Sequence, residues 1–151
     1  MQRTIDEVTI HKTYYDEILT KLKNDRFAEF LGAEVVEFGP GTATVQAKVH
    51  ENMLNAHSTA HGGLLYSIAD YAFALACNSY GRTAVGLSTT TNFMKSASVG
   101  DVITAKATEI RKNFRTGFYR IEVEVQGEVL VSNEAIAYRK SDYFIYIDNN
   151  M

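Results

Sequence analysis

The sequence predicts an α+β domain in which one long apolar helix lies against a strongly bent antiparallel sheet of five or six strands. Three observations predict it. Twelve of the fourteen residues from Leu64 to Cys77 are apolar, so this segment forms a helix buried on most sides. After Gly81 the apolar period changes to two, the period of a strand. The connections Lys95–Gly100, Asn113–Gly117 and Gly127-Glu128 are short and polar, which favours consecutive antiparallel hairpins over crossover units.

The elements follow in order within a single domain spanning 1–151. Residues 1–32 are a helical lead-in. Ile18, Leu19, Leu22, Phe27, Phe30 and Leu31 predict a helix over 14–31 that stops at Gly32. Ala33–Phe38 and Thr42–Val49 alternate around Gly39-Pro40-Gly41 as strand, turn and strand. Residues 50–60 form a polar loop, and the helix follows from His61 to Tyr80, ended by Gly81. Thr83–Met94, Asp101–Lys112, Phe118–Gln126 and Val129–Tyr138 read as four more strands. The tail, 141–151, carries Tyr143, Phe144, Ile145 and Tyr146 in a row and docks on a surface of its own chain or on a neighbouring subunit.

Composition narrows the function. With 151 residues, 46% hydrophobic and 22% charged, the chain buries a core without staples and is not intrinsically disordered. Fifteen basic against eighteen acidic residues give a net charge of −3, so no basic face is expected for nucleic acid. The one cysteine, Cys77, excludes an intramolecular disulfide framework and a multi-cysteine zinc site. It sits among apolar residues, as an inert core thiol does. The N-terminus lacks the apolar run of a secretory signal. Leu64–Cys77 is shorter than the ~20 residues a bilayer needs, and Asp70 inside it would be costly in lipid. A cytoplasmic protein with no membrane or nucleic-acid partner is expected.

Chemistry is most visible along the long helix. Asp70 stands in a run of Ala, Ile, Tyr and Phe with no Lys or Arg within one turn. It is either an aspartate at an exposed notch or a general base whose pKa is raised by partial desolvation. His61-Gly62-Gly63 opens the same helix, where unshielded N–H groups meet the positive end of the dipole and suit an oxyanion. A structural histidine followed by a turn is the alternative reading. Gly62 and Asp70 are eight residues apart, ~12 Å along a helix axis. If both act on one carbonyl, the helix start of one subunit must meet Asp70 of another, which argues for a homodimer with antiparallel helices. Asn55 and His57 could hold the preceding loop or donate to a substrate. Ser88, Thr89, Thr90 and Thr91 open a strand. The four histidines show no metal-ligand spacing, and no phosphate-cradling glycine motif occurs, so neither metal nor cofactor is expected.

These residues form a recognisable string. Met53-Leu54-Asn55, Ala60-His61-Gly62-Gly63, Ser67-Ile68-Ala69-Asp70 and Ala76-Cys77-Asn78-Ser79 resemble the PaaI-type thioesterases of the hotdog superfamily. Asn92-Phe93-Met94-Lys95, Gly100-Asp101 and Thr116-Gly117 extend the likeness over about residues 25 to 140. The resemblance implies a hotdog fold, assembly as a dimer and usually a tetramer, and hydrolysis of an acyl-CoA thioester, coenzyme A being part of the substrate. It implies Asp70 as general base or nucleophile and the Gly62 N–H as carbonyl donor. Asn55 and His61 would organise the site from the partner subunit. Relatives place a water-positioning hydroxyl on the first strand after the helix. Counting forward from Asp70 gives Ser88, and counting back from Asn92-Phe93-Met94 gives Gly86. Lys95 and Arg115 are the candidates for the CoA phosphates. A non-catalytic acyl-CoA-binding module and a hotdog hydratase or dehydratase are the competing classes; the latter would want a His–carboxylate pair.

Overall fold

The computed structural model describes residues 6–148. Its elements are α1 (Glu7–Thr13), α2 (Tyr15–Lys23), α3 (Arg26–Phe30), β1 (Glu34–Gly39), β2 (Thr42–Lys48), a 3₁₀ turn (Glu51–Met53), α4 (Gly62–Cys77), β3 (Arg82–Phe93), β4 (Val102–Lys112), β5 (Thr116–Val125) and β6 (Glu128–Tyr143). The six strands form one antiparallel sheet in the order β1-β2-β4-β5-β6-β3.

The sheet lies against α4 because its inner face is built small. Ala43 and Ala47 on β2, Ala105 and Ala107 on β4, and Ala135 and Ala137 on β6 are all buried. Larger residues fill the remaining space: Val45, Ile103, Ile121 and Val123 face Leu65, Ile68, Phe73 and Leu75 in one core. Phe73 meets Tyr119 edge to face at 5.4 Å, a favourable aromatic geometry. Asn78, just past the helix end, holds α4 to β3: its side chain donates to the Ala74 and Ala84 carbonyls and accepts from the Ala84 N–H at 2.8 Å. Cys77 is buried, and desolvation pushes its thiol up to about 12. Among the described residues no helix is long and apolar enough to cross a membrane.

Three expectations are corrected. The single helix expected over 14–31 is two helices, because Asp25 starts a new one by accepting from the Ala28 N–H at 2.9 Å. Gly32, at φ +69°, does end it. A further helix, α1, precedes them, capped by Asp6. Next, β3 and β4 are not a hairpin. β3 pairs with β6 at the far edge, while β4 returns beside β2. The connecting segment 94–101 is tied down at the end of the sheet by an Ala60 N–H bond to Ala97 O and a Gly100 N–H bond to Val49 O. Last, β6 runs five residues past Tyr138, so the tail begins inside the sheet. Ile145 then packs with Ile10 and Ile18, which docks the tail on the N-terminal helices of its own chain. Residues 1–5 of the expected lead-in and 149–151 of the tail lie outside the described residues.

α4 is not covered all round. Gly63, Ser67, Asp70 and Ala74, one helical stripe, are exposed or half-buried, whereas most of its other residues are buried. That stripe carries the candidate chemistry.

Candidate active site

His61 caps α4 with its ring: Nδ1 accepts from the Gly63 N–H at 2.8 Å. An accepting Nδ1 fixes the neutral tautomer with its proton on Nε2. The His61 carbonyl accepts from the Leu64 and Leu65 N–H groups at 2.9 and 3.3 Å. The His61 N–H donates to the Met53 carbonyl at 2.8 Å, so of the four donors that a helix start leaves over, those of residues 61–64, three are used. The Gly62 N–H has no acceptor among the described residues. A Cβ at Gly62 would lie 3.4 Å from the Phe93 ring, so Phe93 walls the donor on one side. Gly62, Phe93, Asn55, Leu65 and Lys95 line a cavity of about 280 Å³.

Asn55 holds the loop that delivers this donor. Its Oδ1 accepts from the His57 and Thr59 N–H groups at 2.9 and 3.2 Å, and its Nδ2 donates to Thr59 Oγ1 at 3.0 Å. The loop-holding role is thus filled, and one amide hydrogen of Asn55 has no acceptor among the described residues.

Asp70 lies in a different cavity, of about 60 Å³, together with Asp25, Phe27, Leu31, Ser67 and Tyr71. No cation or hydrogen-bond donor pairs with its carboxylate among the described residues. Although exposed in the single chain, the carboxyl is pushed above its ordinary value, first by desolvation and then by the negative charge of Asp25. A raised, unpaired carboxylate beside open space is chemically a base or nucleophile in waiting.

The structure separates the other expected site residues. Ser88 pairs with Ile136 and, with Thr90 and Phe118, lines a cavity of about 250 Å³ on the outer face of the sheet, away from α4. A bulge between Gly86 and Ser88 sets this alternation. Gly86 is the helix-facing position, with Phe73 3.3 Å from where a Cβ would stand. The hydroxyl that does meet the helix is Thr89, 2.9 Å from the Tyr66 hydroxyl. Lys95 lines the Gly62 cavity and pairs with Glu128 at 2.8 Å. Arg115 lies past the other end of the sheet, where its carbonyl accepts from the Arg139 N–H. Within one chain the two basic residues are separated by the length of β3, twelve residues or roughly 40 Å.

Asp25, Phe27 and Phe93 enter the site without having been singled out in the sequence. Asp25 was legible as a helix cap, and Phe93 as the inward residue of its strand, but which cavity each lines is a tertiary fact.

A free N–H donor and a raised carboxylate on one mostly buried helix, packed against an antiparallel sheet, can be compared with known proteins. The sequence model of the family described as "Thioesterase superfamily" matches residues 57–132. The chain belongs to the thioesterase superfamily. It is 40% identical over 110 residues to the acyl-coenzyme A thioesterase PaaI of Escherichia coli strain K12, covering 73% of this chain and 79% of the relative. The structure of the E. coli PaaI protein from the phenylacetic acid degradation operon matches with a TM-score of 0.84 at 32% identity, over 91% of this chain and 99% of that one. A hypothetical thioesterase protein with coenzyme A, from Streptococcus pneumoniae TIGR4, matches with a TM-score of 0.69 at 25% identity, over 72% of this chain and 88% of that one. The architecture is the hotdog fold, and this hotdog thioesterase is of the PaaI type.

Proposed function

We infer that this thioesterase hydrolyses acyl-CoA thioesters at a site shared by two subunits. The Asp70 carboxylate of one subunit serves as base or nucleophile, and the Gly62 N–H of the other holds the oxyanion. One observation carries the reading: the start of α4 leaves one N–H without an acceptor, and its middle leaves one carboxylate without a partner. They lie eight residues, ~12 Å, apart, too far to act on one carbonyl from one chain. β3 supports the sharing. It is a twelve-residue edge strand paired only on its β6 side among the described residues. Pairing two β3 edges antiparallel across a two-fold axis runs the two α4 helices antiparallel and sets each helix start toward the other subunit's Asp70. The same pairing carries the Arg115 end of one subunit toward the Lys95 end of the other, so both basic residues can meet the CoA phosphates. Two such dimers would make the tetramer that the family resemblance implies.

With Asp70 as general base, water adds to the thioester carbon while its proton passes to the carboxylate. The carbonyl electron pair moves onto the oxygen facing the Gly62 N–H. Collapse breaks the C–S bond, and the thiolate of CoA takes the proton from Asp70. With Asp70 as nucleophile, its oxygen displaces the thiolate and water then opens the mixed anhydride. Ser88, across the sheet, is left without a part in either route. His61 acts through the cap, holding the glycine turn in place.

The test is thiol release from a panel of acyl-CoAs. Asp70→Asn is expected to lower turnover by about two to four orders of magnitude while CoA esters still bind. Near-wild-type turnover in that variant overturns the mechanism. If no acyl-CoA is cleaved although CoA esters bind, a binding module is the better account.

A further inference from the structure

We propose that Phe27 and Phe30 of α3 form the wall that selects the acyl group, and that the site is built for a bulky apolar one. The inference rests on the Asp70 reading above.

A thioester carbonyl has two substituents, the sulfur and the acyl chain. With the carbonyl carbon at Asp70, the first atoms of the acyl chain must lie in the cavity that Asp70 lines. Apart from Asp25, Asp70, Ser67 and the Tyr71 hydroxyl, that cavity is apolar, with Phe27, Ala28 and Leu31 on its α3 side. The Gly62 cavity, with Asn55, Lys95 and Ser96, is the more polar of the two and suits the CoA side. About 60 Å³ is room for roughly two waters at ~30 Å³ each. A short acyl group fits there. A bulky one must leave the cavity, and the surface it leaves across is aromatic.

Phe27 lines the cavity and is 58% exposed. Phe30, one turn on, is 76% exposed and stacks on it, with centroids 6.4 Å apart and planes within 15°. Single exposed apolar residues are ordinary, but two parallel rings starting at a reactive carboxylate form a continuous apolar shelf. The shelf is held rigidly. Asp25 caps α3, Ala28 and Leu31 are buried in the main core, and Gly32 ends the helix. A preorganised surface of this kind binds without paying to order itself.

The experiment measures kcat and KM of the full chain and of Phe27→Ala, Phe30→Ala and the double variant. The substrates are acetyl-CoA, decanoyl-CoA and benzoyl-CoA, with melting temperature and solution mass followed in parallel. The double variant is expected to lose about tenfold or more in kcat/KM on the two bulky substrates, mainly through KM, as for uncovering a large apolar side chain. On acetyl-CoA the single variant Phe30→Ala stays within about twofold, since that acyl group ends inside the cavity and Phe30 lies beyond it. Phe27→Leu separates the two acyl chemistries: it keeps decanoyl-CoA and loses benzoyl-CoA if ring stacking matters. An equal loss on all three substrates, no loss on any, or dissociation of the oligomer would overturn the proposal, the last by showing that a second copy covers the shelf. Asp70→Asn is run on the same panel. If it stays active, the catalytic reading fails; if it is dead while the phenylalanine variants keep the wild-type profile, only the acyl wall fails.

Discussion

Asp25 and Asp70 line one small cavity from two different helices, and the charge of the first raises the pKa of the second. Desolvation is the larger cause and Asp25 the lesser. Asp25 is also the N-cap of α3. Asparagine caps a helix about as well as aspartate, so Asp25→Asn removes the charge and keeps the helix. With the like charge gone, the Asp70 pKa moves down toward its ordinary value of 3.8. In the proposed mechanism the ionised carboxylate is the active form, so the acid limb of the kcat/KM profile is expected to shift to lower pH in Asp25→Asn. A limb that stays in place or moves up contradicts the coupling.

The raised pKa of Asp70 also makes a statement about stability. A carboxyl whose folded-state pKa lies above its unfolded value favours the fold while protonated. That contribution is fully present below the unfolded value and is lost as pH rises through the folded one. At neutral pH the ionised Asp70 is therefore a net cost. Asp70→Asn is expected to melt at a higher temperature than wild type at pH 7, and the gap should close as pH falls toward 4. Equal melting temperatures at pH 7 would show that the carboxylate is not destabilising.

Gly62 is the first residue of α4, and its N–H is the one donor of the helix start that nothing in the described chain uses. Proline is tolerated at this first position, where its missing N–H costs the helix no bond. His61 before it already has φ −62° and ψ 136°, the extended conformation that a following proline requires. Gly62→Pro thus deletes the donor and little else. A loss of about 10²–10³ in kcat with a near-native melting temperature is expected, the cost of one oxyanion donor. Gly62→Ala, whose Cβ makes an ordinary 3.4 Å contact with an exposed Phe93 ring, is the control and should retain most activity.

The sequence shows the central helix, its cap and its carboxylate because each is a local signal: an apolar run, a histidine before two glycines, a charge without a partner. The six strands are legible through their period of two. The pairing is not, because strand order depends on where a polar segment such as 94–101 is tied, and only the Ala97 and Gly100 backbone contacts reveal that. Ser88 shows the same limit within one strand. Alternation alone groups Ser88 with Thr90, but a bulge beside Leu87 decides which of the two faces meets α4. The break at Asn24-Asp25 hides behind a helical spacing of apolar residues, since the apolar count does not weigh the competing cap.

The tail shows how a loop conformation and a packing contact come to depend on each other. Ile145 packs with Ile10 and Ile18 and sits over Gly81, where a Cβ would come within 2.8 Å of its Cδ1. Gly81 is at φ +74°, so it serves both the turn after α4 and the seat of this side chain. The Phe144 N–H donates to the Gly81 carbonyl at 3.0 Å, and the Asp148 N–H donates to the Tyr14 hydroxyl at 2.9 Å. Ile145→Ala is expected to cost about 2 kcal/mol or more of local stability, as for truncating a buried isoleucine. Because this small cluster meets the core around α4 at Leu22 and Phe38, both only half-buried, the loss should appear as faster amide hydrogen exchange in α1 and α2. Exchange in α4 and the central strands, and turnover of acyl-CoA, should be unchanged. Exchange that rises evenly through the whole chain would show instead that the N-terminal helices and the sheet unfold as one unit.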